Sequence, residues 1–104
     1  MSYQLRSTPA TDADVEDAFH WYESELAGLG RQFLDELRAS YDSVQSGPLK
    51  YQTLRWDIRR ALLRRFPYSV YFVVEGSSIT VLAVLRATRD PSRWQERAKH
   101  RVSE

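Results

Sequence analysis

Cysteine is missing from this chain of 104 residues, and histidine, glycine and proline are scarce. Without Cys there is no disulfide framework and no thiolate to serve as a nucleophile or to bind zinc or an iron–sulfur cluster. The two histidines, His20 and His100, are far apart and in no metal-ligand spacing, so no metal and no cofactor is expected. There is no glycine loop of the kind that cradles phosphate and no Ser-His-Asp or Cys-His order. Long apolar runs are also lacking, and nothing approaches the ~20 residues of a membrane helix. The opening residues, MSYQLRSTPATD, do not run from basic to apolar as a secretory signal does. A cytoplasmic chain with no membrane partner is the expectation.

What the chain does have is ordinary globular composition and a lopsided charge. Its length suits one domain, 1–104, and leaves no room for a second core. Residues 1–46 carry nine acids and three bases, whereas residues 47–104 carry five acids and twelve bases. The near-zero net charge therefore hides halves of about −6 and +7. Either the halves neutralise each other in the fold, or the second presents a basic face to nucleic acid or to an acidic protein segment.

The pattern of apolar residues divides the chain in the same place. Tyr3-Gln4-Leu5-Arg6 alternates as a short strand does. Pro9 and Thr11-Asp12-Ala13-Asp14 look like a helix start with Thr11 as N-cap. Val15, Ala18, Phe19, Tyr22 and Leu26 then form one helical stripe, which Gly28-Leu29-Gly30 should end. A second stripe, Phe33, Leu37, Tyr41 and Val44, runs to Gly47-Pro48. The two make an antiparallel helical hairpin with a three-residue link. Residues 49–57 look irregular. Beyond them Ile58–Leu63, Tyr68–Val74 and Ile79–Leu85 are rich in β-branched and aromatic residues, with a tight hairpin at Gly76-Ser77-Ser78. The last two strands are apolar at nearly every position, as strands covered on both faces are. Asp90-Pro91 offers a cap for a short basic helix containing Trp94, Arg97, Ala98 and Arg101. The order β-α-α-β-β-β-α specifies an α+β domain, a helical hairpin packed on a small, mainly antiparallel sheet.

Chemistry-bearing residues in the second half are mostly arginines: Arg55, Arg59, Arg60, Arg64, Arg65, Arg86, Arg89, Arg93, Arg97 and Arg101. Guanidinium groups grip phosphate or carboxylate with two donors and do not act as bases at neutral pH. Some of them would flank strand ends as solvated charges or pair with the helical acids. Arg86 is harder to treat that way, because it closes an apolar strand. Phe19, Tyr22, Phe33 and Tyr41 lie on helical stripes and belong to the expected core. Trp21 and Trp56 fall outside the stripes, so burial and partner contact both remain open. Trp94 could dock the last helix or face a partner, and His20 should lie on the surface.

Three segments together resemble the RelE/ParE superfamily of toxins, most nearly its ParE-like, plasmid-stabilisation side. They are Ala18-Phe19-His20-Trp21-Tyr22-Glu23 with Gly28-Leu29-Gly30 and Phe33-Leu34; Ile58 through Tyr71, which contains Arg64-Arg65-Phe66-Pro67-Tyr68; and Ile79 through Val84 leading to Arg89-Asp90-Pro91, Trp94 and Arg97. Each block is weak alone and specific in combination, and the family's element order agrees with the one above. The resemblance implies the toxin of a type II toxin–antitoxin pair, neutralised by a cognate, ParD-like antitoxin whose disordered C-terminal segment folds over it. On the ParE side the implied target is DNA gyrase, inhibited by binding. On the RelE side the implied activity is ribosome-dependent mRNA cleavage, for which Arg59, Arg65 and Arg86 would be the catalytic candidates. A third reading is a degenerate member that binds its antitoxin and poisons nothing.

Gyrase binding is favoured because RNA cleavage by a 2′-hydroxyl needs a base and an acid as well as cations. No Tyr follows Tyr71, and the late His100 lies in a charged tail. The resemblance also implies that Arg86 stands where ParE-like chains often carry His. On this reading Arg59, Arg65, Arg86, Arg89, Trp94 and Arg97 would meet the target, and Trp21, Trp56 and Arg60 the antitoxin. Direct nucleic-acid binding is possible but not favoured.

Overall fold

A computed structural model describes residues 3–88 and 90–102. The first helix, α1 (Pro9–Glu25), starts one turn earlier than the sequence suggests. Thr8, not Thr11, is its N-cap, and its hydroxyl accepts the Thr11 amide at 3.1 Å. Proline's fixed φ and missing N–H suit the first helical position, so the residue before Pro9 becomes the cap. Thr11 then falls inside the first turn and faces the sheet, fully buried, where its hydroxyl donates to the Val81 carbonyl at 2.9 Å.

The link to α2 (Leu29–Ser46) is also displaced, because Leu29 and Gly30 belong to the second helix. The link is Leu26, Ala27 and Gly28, and Gly28 takes the left-handed position at φ 91° that glycine enters without strain. Two amide donors at the start of α2, Gly28 and Gly30, reach the Glu23 carboxylate at 2.9 and 3.0 Å. An acid on the last turn of α1 thus satisfies donors that the start of α2 leaves open. Gly30 has a different task. A Cβ there would lie 2.8 Å from two ring carbons and from the carbonyl oxygen of Phe19, so only glycine lets α1 approach this closely.

Beyond a short 3₁₀ turn at Pro48–Lys50, the sheet takes the order β1-β4-β3-β2. Its strands are β1 (Gln4–Ser7), β2 (Arg59–Leu62), β3 (Tyr68–Glu75) and β4 (Ser78–Arg86). β1 runs parallel to β4, and the other two pairings are antiparallel. Tyr71 lies opposite Ala83 while Phe72 lies opposite Val81, which leaves Leu82 as an extra residue in β4. Such a bulge reverses the inside–outside alternation once. Val81 and Val84 therefore face the helical hairpin, whereas Leu82, Ala83 and Leu85 face the opposite side.

Both faces are covered, as the apolar strands require. Under the hairpin lie Ala18, Tyr22, Phe33, Leu37 and Val44 against Ala61, Val70, Phe72, Ile79 and Val81. The other face carries Ile58, Tyr71, Val73, Leu82, Ala83 and Leu85 beneath α3 (Ser92–Val102). Asp90 caps that helix by accepting the Ser92 amide at 2.9 Å. No helix among the described residues is long and apolar enough to cross a membrane.

One edge of β4 needs more than strands. β1 ends at Ser7, opposite Val81, so the rest of β4 is unpaired on that side. Side chains take over there. Thr11 serves the Val81 carbonyl, Arg97 donates to the Leu82 carbonyl at 2.8 Å, and Asp14 accepts the Val84 amide at 3.1 Å. Asp14 and Arg97 also hold each other through two parallel bonds of 2.9 and 3.0 Å. This buried fork ties α1 and α3 to the same stretch of β4.

Candidate partner-binding surface

The bonds from Thr11 and Asp14 to β4 fix the path of α1 along that strand. One turn beyond Asp14 come Asp17 and Ala18, and one further turn brings Trp21 over the strand's end. There stands Arg86, the last residue of β4, directly opposite Tyr68 in the antiparallel register. The Arg86 guanidinium lies 5.6 Å from the Trp21 ring centroid and 5.7 Å from that of Tyr68. Both distances are within cation–π range. Arg93, from the start of α3, completes the wall. Between these groups opens a cleft of about 310 Å³, and a smaller one of about 170 Å³ beside Trp94 shares Arg86 and Arg93.

Among the described residues neither Arg86 nor Arg93 forms an ion pair. Of the two carboxylates that line the cleft, Asp14 is held by Arg97 and the Val84 amide, and Asp17 is exposed. Behind the cleft, Tyr22 stacks on Phe33 and meets Phe66 and Tyr68 edge-on. Its hydroxyl is buried and has no hydrogen-bond partner among the described residues. Burial pushes that phenol up, Tyr68 adds to the shift, and the Arg86 charge opposes it. The rings and the two guanidinium groups suit the grip of an anion.

The other residues expected at a site are scattered. Trp21 and Arg86, assigned to different partners, are brought together. Arg65 lies in the β2–β3 connection, where its guanidinium meets Glu36 at 3.5 Å and Gln32 at 3.0 Å on α2. The same Glu36 carboxylate accepts the amides of Arg64 and Arg65, so it also fixes that connection. Arg59 donates to the Tyr51 carbonyl at 2.6 Å and holds the chain entering β2. Arg60 follows it on the edge strand, half-buried.

Trp56 sits at the other end of β2, 43% exposed beneath the Arg55 guanidinium at 4.3 Å. It and Asp57 occupy consecutive left-handed positions, φ 53° and 66°, in the turn closed by the Ile58 amide on the Arg55 carbonyl. For a residue as bulky as Trp this conformation costs about 1 kcal/mol or more. Trp94 docks its helix by stacking on Tyr71 at 5.5 Å. Arg97, expected to face a target, instead turns inward to Asp14. Arg89 lies outside the described residues. Among the cleft residues that were not singled out by sequence as site members are Tyr68 and Arg93. Only the strand register and the helix start bring them to Arg86.

Comparison with known families decides what kind of protein carries this surface. The family described as "ParE toxin of type II toxin-antitoxin system, parDE" matches residues 5–91. The chain belongs to the ParE toxin family. The fold agrees. A chain of the chromosomal ParDE toxin–antitoxin system from P. aeruginosa superposes with a TM-score of 0.76 at 19% identity, covering 83% of this chain and 97% of that one. The toxin–antitoxin complex RelBE2 from Mycobacterium tuberculosis gives 0.59 at 16% identity over 83% and 99% of the two chains. An arginine-to-alanine mutant of E. coli toxin RelE, in the free state, gives 0.60 at 19% identity over 98% and 99%. No curated protein sequence matches. In this ParE-family toxin, no described group of His, Asp and Glu side chains is placed to hold a metal ion.

Proposed function

We propose that this chain, acting as one toxin domain over residues 1–104, poisons DNA gyrase by binding and is neutralised by a ParD-like antitoxin. The single observation that carries the reading is the cleft of Arg86 and Arg93 between Trp21 and Tyr68, in which neither arginine forms an ion pair among the described residues. Inhibition by binding needs a complementary surface and nothing more. RNA cleavage needs a group fixed to take the 2′-hydroxyl proton, worth roughly 10²–10⁴-fold. Arginine cannot take it at neutral pH. Of the two carboxylates on the wall, Asp14 is locked to Arg97, and Asp17 is an exposed side chain that no described residue orients.

An antitoxin segment ordering itself on the toxin would meet aromatic and basic groups on two sides, Trp21 at the cleft and Trp56 with Arg60 at the far end of β2. Ordering costs free energy, and a large buried area offsets it. The test uses purified protein. Gyrase supercoiling should stall, with cleaved DNA complexes accumulating, and R86Q should lose the effect while remaining folded. Codon-dependent cuts in ribosome-bound message with gyrase unaffected would overturn the proposal in favour of the endonuclease reading.

A further inference from the structure

We infer that the Trp21–Tyr68–Arg86–Arg93 cleft is a receptor for one acidic side chain of a partner polypeptide. The inference rests on the reading of the chain as a partner-bound toxin and names the chemistry that its partner must bring. Arg86 lies against two aromatic faces, which orient its planar group before any ligand arrives. A guanidinium held in this way loses little freedom when it takes a carboxylate with two donors. The cavity of about 310 Å³ has room for one side chain and the methylene stem behind it. Val84 and Leu85 line it beside the rings and supply an apolar floor for that stem.

The alternative occupant is the phosphate backbone of a nucleic acid, and the walls disfavour it. A nucleic acid is a row of charges, and its affinity grows with the number of cations that meet it. The opposite wall is α1, where Asp17 lines the cleft beside the Arg97-held Asp14, and Asp12 and Glu16 are exposed on the same helix. Two arginines facing an acidic helix accommodate one negative charge and repel a chain of them. Trp21, 49% exposed, covers the mouth and can pack on the apolar neighbours of an acidic residue in a polypeptide.

The experiment is an NMR titration of the whole chain, reading the side-chain Nε–H signals of Arg86 and Arg93 and the indole signal of Trp21. The probes are a blocked Leu-Glu-Leu tripeptide, its Leu-Gln-Leu counterpart and a thymidine hexanucleotide. The Glu peptide should move all three signals and bind about tenfold or more tightly than the Gln peptide. Its binding should vanish in R86Q and in R93Q, each checked for an unchanged backbone spectrum. W21L keeps the two arginines and should weaken binding about threefold to tenfold. Equal response to the Gln peptide, tighter binding of the hexanucleotide, or no response to the Glu peptide at ~10 mM would each overturn the inference. The titration makes no use of toxicity or gyrase, so it can fail while the proposed function stands, and the reverse.

Discussion

Replacing Arg97 by Met removes the cationic half of the fork that joins α3 to α1 and leaves its acidic half buried. The Asp14 side chain is 8% exposed and would keep only the Val84 amide as partner. Breaking a buried pair in this one-sided way costs about 3–5 kcal/mol. Arg97 itself is 23% exposed, so water can reach part of the gap and the lower end, about 3 kcal/mol, is expected. For a domain of this size each kcal/mol lowers Tm by roughly 4–8 °C, so R97M should melt about 12–24 °C below the parent protein. The Leu82 carbonyl also loses its donor, which is part of that loss. Replacing both partners by apolar residues, D14L with R97M, should cost less than the sum of the single changes, with a coupling of about 1–3 kcal/mol. Urea titration followed by circular dichroism gives all four corners of the cycle. A loss under about 1 kcal/mol, or no coupling, would refute the structural role assigned to this pair.

Two further changes probe the hairpin and its surroundings. Gly30→Ala gains about 1 kcal/mol of helix propensity yet should cost about 1–3 kcal/mol net, because its methyl meets the Phe19 carbonyl as well as the ring; a rise in Tm would contradict the close packing described. Alkaline pH should unfold the protein through Tyr41, whose phenol is pushed up to about 12 by burial and then by Asp12 and Asp14. The folded state then holds a proton that the unfolded chain releases near pH ~10. Stability is therefore full below about pH 10 and falls by up to about 2–3 kcal/mol as pH rises toward about 12. Tyr22 acts in the same direction. Urea midpoints at about pH 8 and about pH 11 check this, and Y41F should flatten the decline; an equal decline in Y41F would assign it elsewhere.

The elements were legible in the sequence because each rests on a local pattern. The stripes of α1 and α2, the β-branched runs of β3 and β4, and the Asp90 cap needed no knowledge of the tertiary fold. Helix starts were less secure. Thr8 and Thr11 are both good caps; Pro9 favours Thr8, and the burial of Thr11 against Val81 draws Thr11 into the first turn. Gly28 and Gly30 looked like one breaker, whereas one supplies a left-handed turn and the other a close helix contact. The site was legible only as a list of arginines. Which guanidinium groups stay available depends on partners remote in sequence: Asp14 is 83 positions from Arg97, and Gln32 is 33 from Arg65. Arg86 stands out because the register places it against Tyr68 and the run of α1 along β4 places Trp21 over it. Neither relation is visible before the strands and helices are assembled.

The most direct test is growth of a bacterial host in which this chain is induced alone or together with a ParD-like candidate antitoxin from the same genome. Induction alone should arrest growth, and co-expression should restore it with the two proteins purifying as one complex. Normal growth on induction of the folded chain, or arrest that no such candidate relieves, would contradict the account of a toxin held by its antitoxin.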